Sequence, residues 1–383
     1  MSRLEKLPPY LFTEIDRAKR AALAEGRDII DLGIGDPDLP TPAPLLDVMA
    51  DAVRRAANHR YPENRGAPAF REAVAAWLRR RQGVEVDPQT QVLALIGSKE
   101  GLAHLPLALL EEGDRVLVPD IGYPVYAAST ILAGGLPMTY HLAEERAFLP
   151  DPAEIAAAAD ARTRLLLLNS PHNPTGAVAA AAEFEACLAV GRDAGLVTAN
   201  DAAYREVVLS GDAPAGLLQS ADLARDRVIE FHSLSKMFNM TGWRIGFAVG
   251  HAEVIAALDQ VKQNIDSGAF TAVQETAIFA LDESCDGLMA SVMAPYARRR
   301  GTIVAALAAV GLAVFDARAT FYVWARVPAG EDSFAFCRRV LAERDLVVTP
   351  GTGFGRGGEG WFRISLTTAD DRIDEAAARL RRL

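Results

Sequence analysis

The sequence predicts an α/β protein with a large domain, whose mostly parallel sheet is covered by helices, and a smaller α+β domain. Apolar runs of strand length recur between residues 91 and 249, and most are separated by segments with helical periodicity. Near-continuous apolar strands are typical of a parallel sheet that is buried on both faces. From about residue 284, longer helices mix with short strand-like segments, which is typical of an α+β arrangement.

The predicted elements follow one another along the whole chain. In the N-terminal part we expect an irregular arm at 1–11, a helix at 12–24, a short strand at 28–32 and helices that begin near 42 and 70. Strands of the large sheet are predicted at 91–96, 115–118, 164–168, 195–199, 227–231 and 245–249. The C-terminal part predicts a helix at 288–309, strands at 312–315 and 321–326, a helix at 333–344, strands near 347 and 361, and a helix at 369–383. We therefore expect an N-terminal arm and part of the small domain at 1–45, the large domain at 46–283 and the small C-terminal domain at 284–383.

Composition and charge limit the classes of function. The chain has 383 residues, 50% of them hydrophobic, and a formal net charge of −10, which disfavours nucleic acid or an anionic membrane as the main partner. Neither a signal peptide nor a stretch of roughly twenty apolar residues occurs, so we expect a cytoplasmic protein without membrane contact. The cysteines are far apart in apolar helical segments and are expected to be free thiols. The histidines lack zinc-binding spacing, so no metal is predicted.

A lysine among hydroxyls and apolar residues is the first candidate for chemistry. Lys236 follows Ser233 and Ser235, lies between two apolar runs and precedes Arg244. A lysine held in apolar surroundings beside another cation loses part of its preference for the charged form, so its amine becomes a nucleophile near neutral pH. The hydroxyls and the arginine suit a phosphate. A reactive lysine beside a phosphate site is what pyridoxal phosphate requires, since this cofactor carries an aldehyde and a phosphate; a solvated surface lysine is the alternative.

A second candidate for the phosphate site follows the predicted strand at 91–96. Gly97, Ser98 and Lys99 come after this apolar run and open a helix. The free backbone N–H groups and the positive dipole end of a helix N-terminus attract an anion, and Ser98 adds a hydroxyl. An ordinary strand-to-helix turn is the alternative interpretation. The spacing of a nucleotide P-loop is missing.

Polar residues also follow the strands predicted at 164–168 and 195–199. Asn173 lies in Asn-Pro-Thr-Gly, which is either a structural turn or the source of a hydrogen bond to a ligand oxygen. Asp201 comes at the end of a buried strand, where an unpaired carboxylate is unfavourable, so it needs a cationic or hydrogen-bonding partner. A protonated pyridine nitrogen would serve, and Tyr204 is close enough in sequence to contact the ring oxygen.

A glycine-rich segment at 353–358 satisfies the Gly-x-Gly-x-x-Gly spacing of dinucleotide-binding proteins. In those proteins the segment opens a helix whose N-terminus meets the pyrophosphate. Here it leads into residues 361–365, which alternate like a strand. We therefore interpret the segment as a mobile loop before that strand.

The chain resembles the pyridoxal-phosphate-dependent aminotransferases of fold type I, class I and II. The resemblance rests on motifs that occur in the order typical of that family: Asn-Pro-Thr-Gly at 173–176, Asp-x-x-Tyr at 201–204, Ser-Leu-Ser-Lys at 233–236, Gly-Trp-Arg-Ile-Gly at 242–246 and Phe-Arg-Ile-Ser at 362–365. It extends from the N-terminal arm to the last strand. The resemblance implies the fold type, the cofactor pyridoxal 5'-phosphate and a ping-pong transfer of an amino group between an amino acid and a 2-oxo acid.

The resemblance also implies a role for each matching residue around the cofactor. Lys236 would bind the cofactor aldehyde covalently and would move the α-proton, and Asp201 would pair with the pyridine nitrogen. Asn173 and Tyr204 would bind the ring oxygen, and Tyr123 would stack on the ring. The phosphate would be bound by Gly97, Ser98, Lys99, Ser233, Ser235 and Arg244.

Three further residues are implied to act on the substrate or across subunits. Arg363 would bind the substrate α-carboxylate through a bidentate pair, for which the guanidinium fork is suited. Gly35 and Asn173 would line the same pocket. Tyr61 matches a tyrosine that reaches the phosphate of the neighbouring subunit in this family, which implies a homodimer with shared active sites.

Four segments, at 7–12, 97–101, 238–243 and 264–268, most resemble the LL-diaminopimelate aminotransferases of lysine biosynthesis. This implies LL-diaminopimelate and 2-oxoglutarate as substrates, with Asn64 and Ser267 as candidates for contact with the distal end. Because these segments also build the cofactor pocket, an aspartate or broad-specificity aminotransferase is the alternative. A carbon–sulfur β-lyase on the same fold is a further one. A noncatalytic regulator would carry a DNA-binding domain ahead of the fold, and there is no room for one before residue 28.

Overall fold

The computed structural model describes residues 3–7 and 12–383, so the predicted arm at 1–11 lies partly outside the described residues. Arg3–Lys6 forms a short 3-10 helix. The helices are α1 (Phe12–Ala24), α2 (Ala43–Ala52), α3 (Pro68–Gln82), α4 (Ser98–Leu109), α5 (Val125–Leu132), α6 (Pro152–Ala158), α7 (Ala181–Ala194), α8 (Leu217–Ser220), α9 (Leu234–Met237), α10 (Ala252–Ile265), α11 (Thr271–Ala280), α12 (Asp286–Ala309), α13 (Ser333–Arg344) and α14 (Asp370–Leu380). The strands are β1 (Ile30–Asp31), β2 (Val92–Leu95), β3 (Arg115–Pro119), β4 (Leu136–Tyr140), β5 (Thr163–Asn169), β6 (Val197–Asp201), β7 (Val228–Ser233), β8 (Gly246–Gly250), β9 (Tyr322–Arg326), β10 (Leu346–Val347), β11 (Thr349–Pro350) and β12 (Trp361–Ser365).

The large sheet has seven strands in the order β2-β8-β7-β6-β5-β3-β4. Strand β8 is antiparallel to both of its neighbours, and the other paired strands are parallel. The prediction of an α/β fold with a mostly parallel sheet is therefore confirmed. Strand β4 was not predicted, because it is an edge strand with exposed residues such as Leu136 and Met138, and so lacks the continuous apolar pattern of a buried strand.

The smaller sheet contains β11, β12 and β9, paired antiparallel. The prediction of a strand at 312–315 is wrong. This segment makes only a single β-bridge, between Val314 and Ala325. Its pairing with β9 stops because the chain turns back on itself, with Ala317 N donating to Phe315 O at 2.9 Å. A short segment of strand-like residues therefore did not form a full strand.

The N-terminal segment packs with the C-terminal part of the chain. Strand β1 pairs parallel to β10, and Ile15 and Leu32 share a buried cluster with Phe321, Phe362 and Leu380. This packing is of the kind expected if both ends build one small domain. The division at 45/46 and 283/284 stays a prediction.

The large sheet brings the ends of its central strands together. Parallel strands β5, β6 and β7 lie side by side and end at Asn169, Asp201 and Ser233. In open α/β sheets, ligands bind at the carboxyl ends of the strands. Polar residues that follow these strands in sequence therefore meet at one edge of the sheet.

Candidate active site

A cleft of about 720 Å³ opens at this edge of the large sheet, between the strand ends and the smaller sheet. Its walls also include the segment that follows β1. The residues of the prediction that line it are Gly35, Gly97, Ser98, Lys99, Tyr123, Asn173, Asp201, Tyr204, Ser233, Ser235, Lys236, Arg244 and Arg363. The fold thus collects residues separated by more than 300 positions in the chain.

Lys236 lies in α9, directly after β7, and its side chain points into the cleft. Its Nζ atom donates a hydrogen bond to the Gly35 carbonyl at 3.2 Å. Burial lowers the pKa of Lys236 to about 8; the Asp36 carboxylate opposes this change, while Arg244 and Arg363 add to it. A substantial fraction of the amine is therefore neutral and nucleophilic at mildly alkaline pH.

Asp201 is the last residue of β6 and is buried. Its Oδ2 atom accepts a hydrogen bond from the Tyr126 hydroxyl at 2.8 Å, and its Oδ1 atom accepts one from Ala203 N at 3.2 Å. Burial raises the pKa of Asp201, although Tyr126, Ala203 and His232 lower it in part. A cation placed against this carboxylate would compensate for its desolvation.

Asn173 and Tyr204 are held beside Asp201 by short hydrogen bonds. Asn173 N donates to the Asn169 side chain at 2.9 Å, and the Asn169 amide donates to the Asp201 carbonyl at 2.7 Å. The Tyr204 hydroxyl lies 2.7 Å from the Tyr322 hydroxyl. Burial raises the pKa of Tyr204 well above its ordinary value, so this side chain keeps its proton and can donate it in a hydrogen bond.

Hydroxyls and cations lie in the part of the cleft near the N-terminus of α4. Helix α4 begins at Ser98, directly after Gly97, whose φ is 100°. This φ is one that L side chains rarely adopt, and a Cβ atom at Gly97 would lie 2.5 Å from an Arg244 guanidinium nitrogen, so glycine suits this position. Ser233 and Ser235 lie on the neighbouring turn, and Lys99 Nζ lies 5.7 Å from the centre of the Tyr123 ring. This end can bind an anion such as a phosphate.

Arg363 lies in β12 and forms the cationic wall of the cleft on the side of the smaller sheet. Its Nη1 atom donates to Asn173 Oδ1 at 2.9 Å, and its Nη2 atom donates to the Gly33 carbonyl at 2.7 Å. Its Nε atom is buried and has no hydrogen-bond partner among the described residues. The guanidinium carbon also lies over the rings of Tyr322 and Phe354, at 4.1 Å and 4.5 Å from their centres. A planar guanidinium held in this way suits a carboxylate.

Among the side chains that contact predicted site residues, the sequence does not predict the roles of Tyr126, Tyr322 and Phe354. Tyr126 occurs in the Gly-Tyr-Pro-Val-Tyr segment beside Tyr123, but no pattern in the sequence indicated its bond to Asp201. Tyr322 and Phe354 come from β9 and from the glycine-rich loop, and only packing between distant elements places them against Arg363. No signal in a single sequence identifies such contacts.

Two other sequence predictions concern the glycine-rich segment and Tyr61. The glycine-rich segment forms short 3-10 turns at Gly351–Phe354 and Arg356–Gly358 and then enters β12. The expected strand after it is confirmed, so the helix that a dinucleotide site requires is not there. Tyr61 is 90% exposed and does not line the cleft, and its role across subunits stays a prediction.

Comparison with known proteins identifies the family. A sequence model of the family described as "Aminotransferase class I and II" matches residues 27–380. The chain belongs to the class I and II aminotransferases. An LL-diaminopimelate aminotransferase from Desulforudis audaxviator is 48% identical over 379 residues, which cover 99% of this chain and 96% of that protein.

Solved structures of other aminotransferases have the same fold. A single mutant of Thermus thermophilus aspartate aminotransferase superposes with a TM-score of 0.93 at 28% identity, covering 100% of this chain and 98% of that chain. The N-succinyldiaminopimelate aminotransferase of Mycobacterium tuberculosis superposes with a TM-score of 0.91 at 32% identity, covering 100% and 99% of the two chains. The fold type I architecture of this aminotransferase is therefore established.

Aminotransferases of this family use pyridoxal 5'-phosphate, and the residues present fit that group. The buried Asp201 carboxylate suits a protonated pyridine nitrogen, and the lysine with a pKa of about 8 suits an aldehyde. The hydroxyls and cations near Gly97 suit the phosphate. Arg363 donates from Nη1 to Asn173 and from Nη2 to Gly33, and the second N–H of each nitrogen suits a substrate carboxylate.

Proposed function

We propose that this aminotransferase moves an amino group between LL-diaminopimelate and 2-oxoglutarate, as a step of lysine biosynthesis. The observation that carries the proposal is 48% identity over 99% of the chain to a protein named LL-diaminopimelate aminotransferase. The Thermus thermophilus aspartate aminotransferase is 28% identical, and N-succinyldiaminopimelate aminotransferases that share the fold are 32% and 37% identical. Higher identity over the full chain favours the first substrate over the other two.

Residues at the strand ends of the large sheet would hold the cofactor. Pyridoxal phosphate supplies an aldehyde that captures an amino group and a protonated ring that withdraws electrons from the substrate α-carbon. Asp201 would keep the ring nitrogen protonated, and Asn173 and Tyr204 would bind the ring oxygen. Tyr123 would stack on the ring. The phosphate would be bound by Gly97, Ser98, Lys99, Ser233, Ser235 and Arg244.

Lys236 would carry the proton that the reaction moves. Its amine would hold the cofactor through the aldehyde. With a pKa lowered to about 8 by burial, this amine would also accept the substrate α-proton and donate it again. The donor and acceptor substrates would use this one site in turn, so we expect ping-pong kinetics.

Arg363 would bind the α-carboxylate of the substrate and so orient the α-carbon toward Lys236. Asn173 and Gly33 each accept one hydrogen bond from a terminal nitrogen of Arg363, which leaves a second N–H on each of these nitrogens. Gly35 and Asn173 form the adjacent wall. Binding in a fixed orientation converts part of the substrate's binding energy into rate.

We also propose that the enzyme is a homodimer with shared active sites. Tyr61 is 90% exposed, and Val53 and Phe270, which both contact His59 two residues before it, are exposed as well. His59 connects these residues, since its ring lies 6.0 Å from Phe270 and its Nε2 atom contacts the Val53 carbonyl at 2.9 Å. An exposed apolar patch of this kind is typical of a subunit interface, and Tyr61 would reach the partner's phosphate from it.

Subunit mixing tests this arrangement. A Lys236→Ala subunit and a Tyr61→Ala subunit are each defective at different parts of the site. If sites are shared, mixed dimers contain one site with both native residues, so mixing and re-equilibrating the two variants restores activity. Mass determination in solution gives the oligomeric state. A monomer, or no recovery in demonstrably mixed dimers, contradicts the proposal.

A panel of donors tests the substrate. The purified enzyme is assayed with LL-diaminopimelate, N-succinyl-LL-diaminopimelate, aspartate, alanine and phenylalanine against 2-oxoglutarate. The proposal expects kcat/KM to be highest for LL-diaminopimelate. A higher value for aspartate or for several donors identifies an aspartate or broad-specificity enzyme. Release of pyruvate and ammonia from cystathionine without an acceptor identifies a β-lyase.

Among the described residues, no helix has the length and apolar character that crossing a membrane requires. The cysteines, Cys187, Cys285 and Cys337, are buried and free, which suits a reducing compartment. We propose that the enzyme works in the cytoplasm. Fractionation of cells that express a tagged copy at native level tests this.

A further inference from the structure

A buried tyrosine, Tyr322, contacts groups at both ends of the proposed reaction site. It is the first residue of β9 and is 2% exposed. Its hydroxyl lies 2.7 Å from that of Tyr204, and its ring lies 4.1 Å from the Arg363 guanidinium carbon. We propose that Tyr322 is a positioning residue: its hydroxyl orients the Tyr204 hydroxyl toward the cofactor ring oxygen, and its ring holds Arg363 for the substrate carboxylate.

The direction of the hydroxyl pair follows from what each group can do. A tyrosine hydroxyl has one proton to donate and accepts through its oxygen. Burial raises the pKa of both tyrosines, so both keep their protons at neutral pH. If Tyr204 donates its proton to the ring oxygen, then the hydrogen bond between the tyrosines can only run from Tyr322 to Tyr204. Tyr322 therefore fixes the direction in which Tyr204 donates, and the two bonds strengthen each other.

The ring of Tyr322 has a separate effect on Arg363. The guanidinium carbon lies over the rings of Tyr322 and Phe354, and its two terminal nitrogens donate to Asn173 and Gly33. These four contacts fix the plane of the fork and the direction of Nε. The attraction between a cation and an aromatic face strengthens when both groups are desolvated. Removing the Tyr322 ring would leave the two hydrogen bonds of Arg363 but would remove the nearer of its two aromatic contacts.

The backbone beside Tyr322 agrees with a fixed position for its hydroxyl. A Cβ atom at Gly35 would overlap the Tyr322 hydroxyl. The glycine therefore leaves the space that the hydroxyl occupies. The Gly35 carbonyl in turn accepts the hydrogen bond from Lys236. Tyr322 thus lies between the segment that contacts the reactive lysine and the residue that contacts the ring oxygen.

Replacing Tyr322 with phenylalanine tests the hydroxyl, because the ring and its contact with Arg363 remain. A weaker hydrogen bond from Tyr204 leaves more negative charge on the ring oxygen, which stabilises the proton on the nitrogen that Lys236 shares with the cofactor. The pKa of that nitrogen, measured from the pH dependence of the visible absorbance, should rise by about half a unit or more. We expect kcat to fall about fivefold and KM for the amino acid to stay unchanged.

A double-mutant cycle shows whether Tyr322 acts through Tyr204. In a Tyr204→Phe background, Tyr322→Phe should cause no further rise of this pKa, because the hydrogen bond it supports has gone. An equal rise in both backgrounds, or no rise in the native one, overturns the role of the hydroxyl. Tyr140→Phe is the matched control: it removes a buried tyrosine hydroxyl that donates to the Leu167 carbonyl at 2.8 Å, away from the cleft, and should leave the titration unchanged.

Replacing Tyr322 with leucine tests the ring. We expect the same pKa rise as with phenylalanine and, in addition, an increase of about tenfold in KM for amino acid substrates. An unchanged KM overturns the role of the ring. The inference rests on the proposed roles of Tyr204 and Arg363, and a native enzyme without a pH-dependent visible absorbance would instead contradict the proposed cofactor site. Thermal unfolding of each variant identifies loss of fold.

Discussion

The two ends of the site are built in different ways. The ring end, with Asn173, Asp201 and Lys236, depends on β5, β6 and β7, which are neighbours in one sheet. The carboxylate end joins Arg363 from β12 to the Gly33 carbonyl, 330 positions earlier in the chain. The ring end is therefore as rigid as the sheet, whereas the carboxylate end depends on packing between the N-terminal segment and the smaller sheet. Changes at the first end should affect chemistry, and changes at the second should affect substrate binding.

Lys236→Ala should have the largest effect, because no other group takes its place at the ring end. The variant loses both the covalent attachment and the proton carrier, so we expect kcat to fall by at least about a thousandfold. The visible absorbance of the attached cofactor should disappear as well. Spectra and single-turnover rates check this. A Lys236→Ala enzyme with native turnover would contradict the whole assignment.

Asp201→Ala should rank next, and it tests charge rather than attachment. Without a carboxylate, the ring nitrogen loses its proton and withdraws electrons poorly, so we expect kcat to fall about a hundredfold or more. The lysine should still bind the cofactor, since Lys236 is untouched. Asp201→Asn keeps the shape of the side chain and an acceptor for Tyr126, so its kcat should fall similarly. Native kcat in the asparagine variant would show that shape alone matters.

The same contrast explains how much the sequence predicts. The strands that carry the ring end are long apolar runs, and each is followed by a polar residue, so Asn173, Asp201 and Lys236 emerge from the pattern itself. Parallel neighbours then bring them together without further information. The role of Arg363 came from the family resemblance alone. Tyr322 and Phe354 were missed, because only tertiary packing places their rings against Arg363.

Secondary structure shows a similar division. The buried strands β2, β3, β5, β6, β7 and β8 were predicted, since burial on both faces requires continuous apolar sequence. The exposed edge strand β4 has no such requirement and was missed. The segment at 312–315 was predicted as a strand from its apolar residues, but its pairing ends after one bridge. The local sequence pattern therefore identifies strands that are buried in the core, and it fails for strands and segments at the edge of a sheet.

Arg363→Lys tests the carboxylate end while keeping its charge. Lysine cannot make the bidentate pair or stack in the same way, so we expect kcat/KM for amino acids to fall by about 10- to 100-fold. Most of the change should appear in KM, and the cofactor absorbance should stay native. Arg326→Lys is the matched control, because Arg326 stacks on Trp361 at 4.5 Å in the same sheet but outside the cleft. A kcat effect equal to that of Asp201→Ala would contradict the division between the two ends.

The pH dependence of cofactor attachment sharpens the account of the ring end. Only the neutral amine reacts, and burial lowers the pKa of Lys236 to about 8. The attachment rate of pyridoxal phosphate to the cofactor-free enzyme should therefore rise about tenfold per pH unit below pH 8 and level off above it. Asp36 raises this pKa, so Asp36→Asn should shift the profile to lower pH. Stopped-flow absorbance measures both, and a profile that still rises at pH 10 would contradict the lowered pKa.

Tyr126→Phe should have the smallest effect, although it lies at the ring end. It removes the hydrogen bond to Asp201 Oδ2 at 2.8 Å, while Ala203 N still donates to Oδ1 at 3.2 Å. The sheet continues to hold Asp201, so only part of its stabilisation is lost, about 1 kcal/mol. We expect kcat to fall roughly fivefold, KM to remain native and the affinity for pyridoxal phosphate to weaken slightly. If Tyr126→Phe instead reduced kcat as strongly as Asp201→Ala, the position of Asp201 would depend on this one hydroxyl rather than on the sheet, and the rigidity assigned to the ring end would have to be given up.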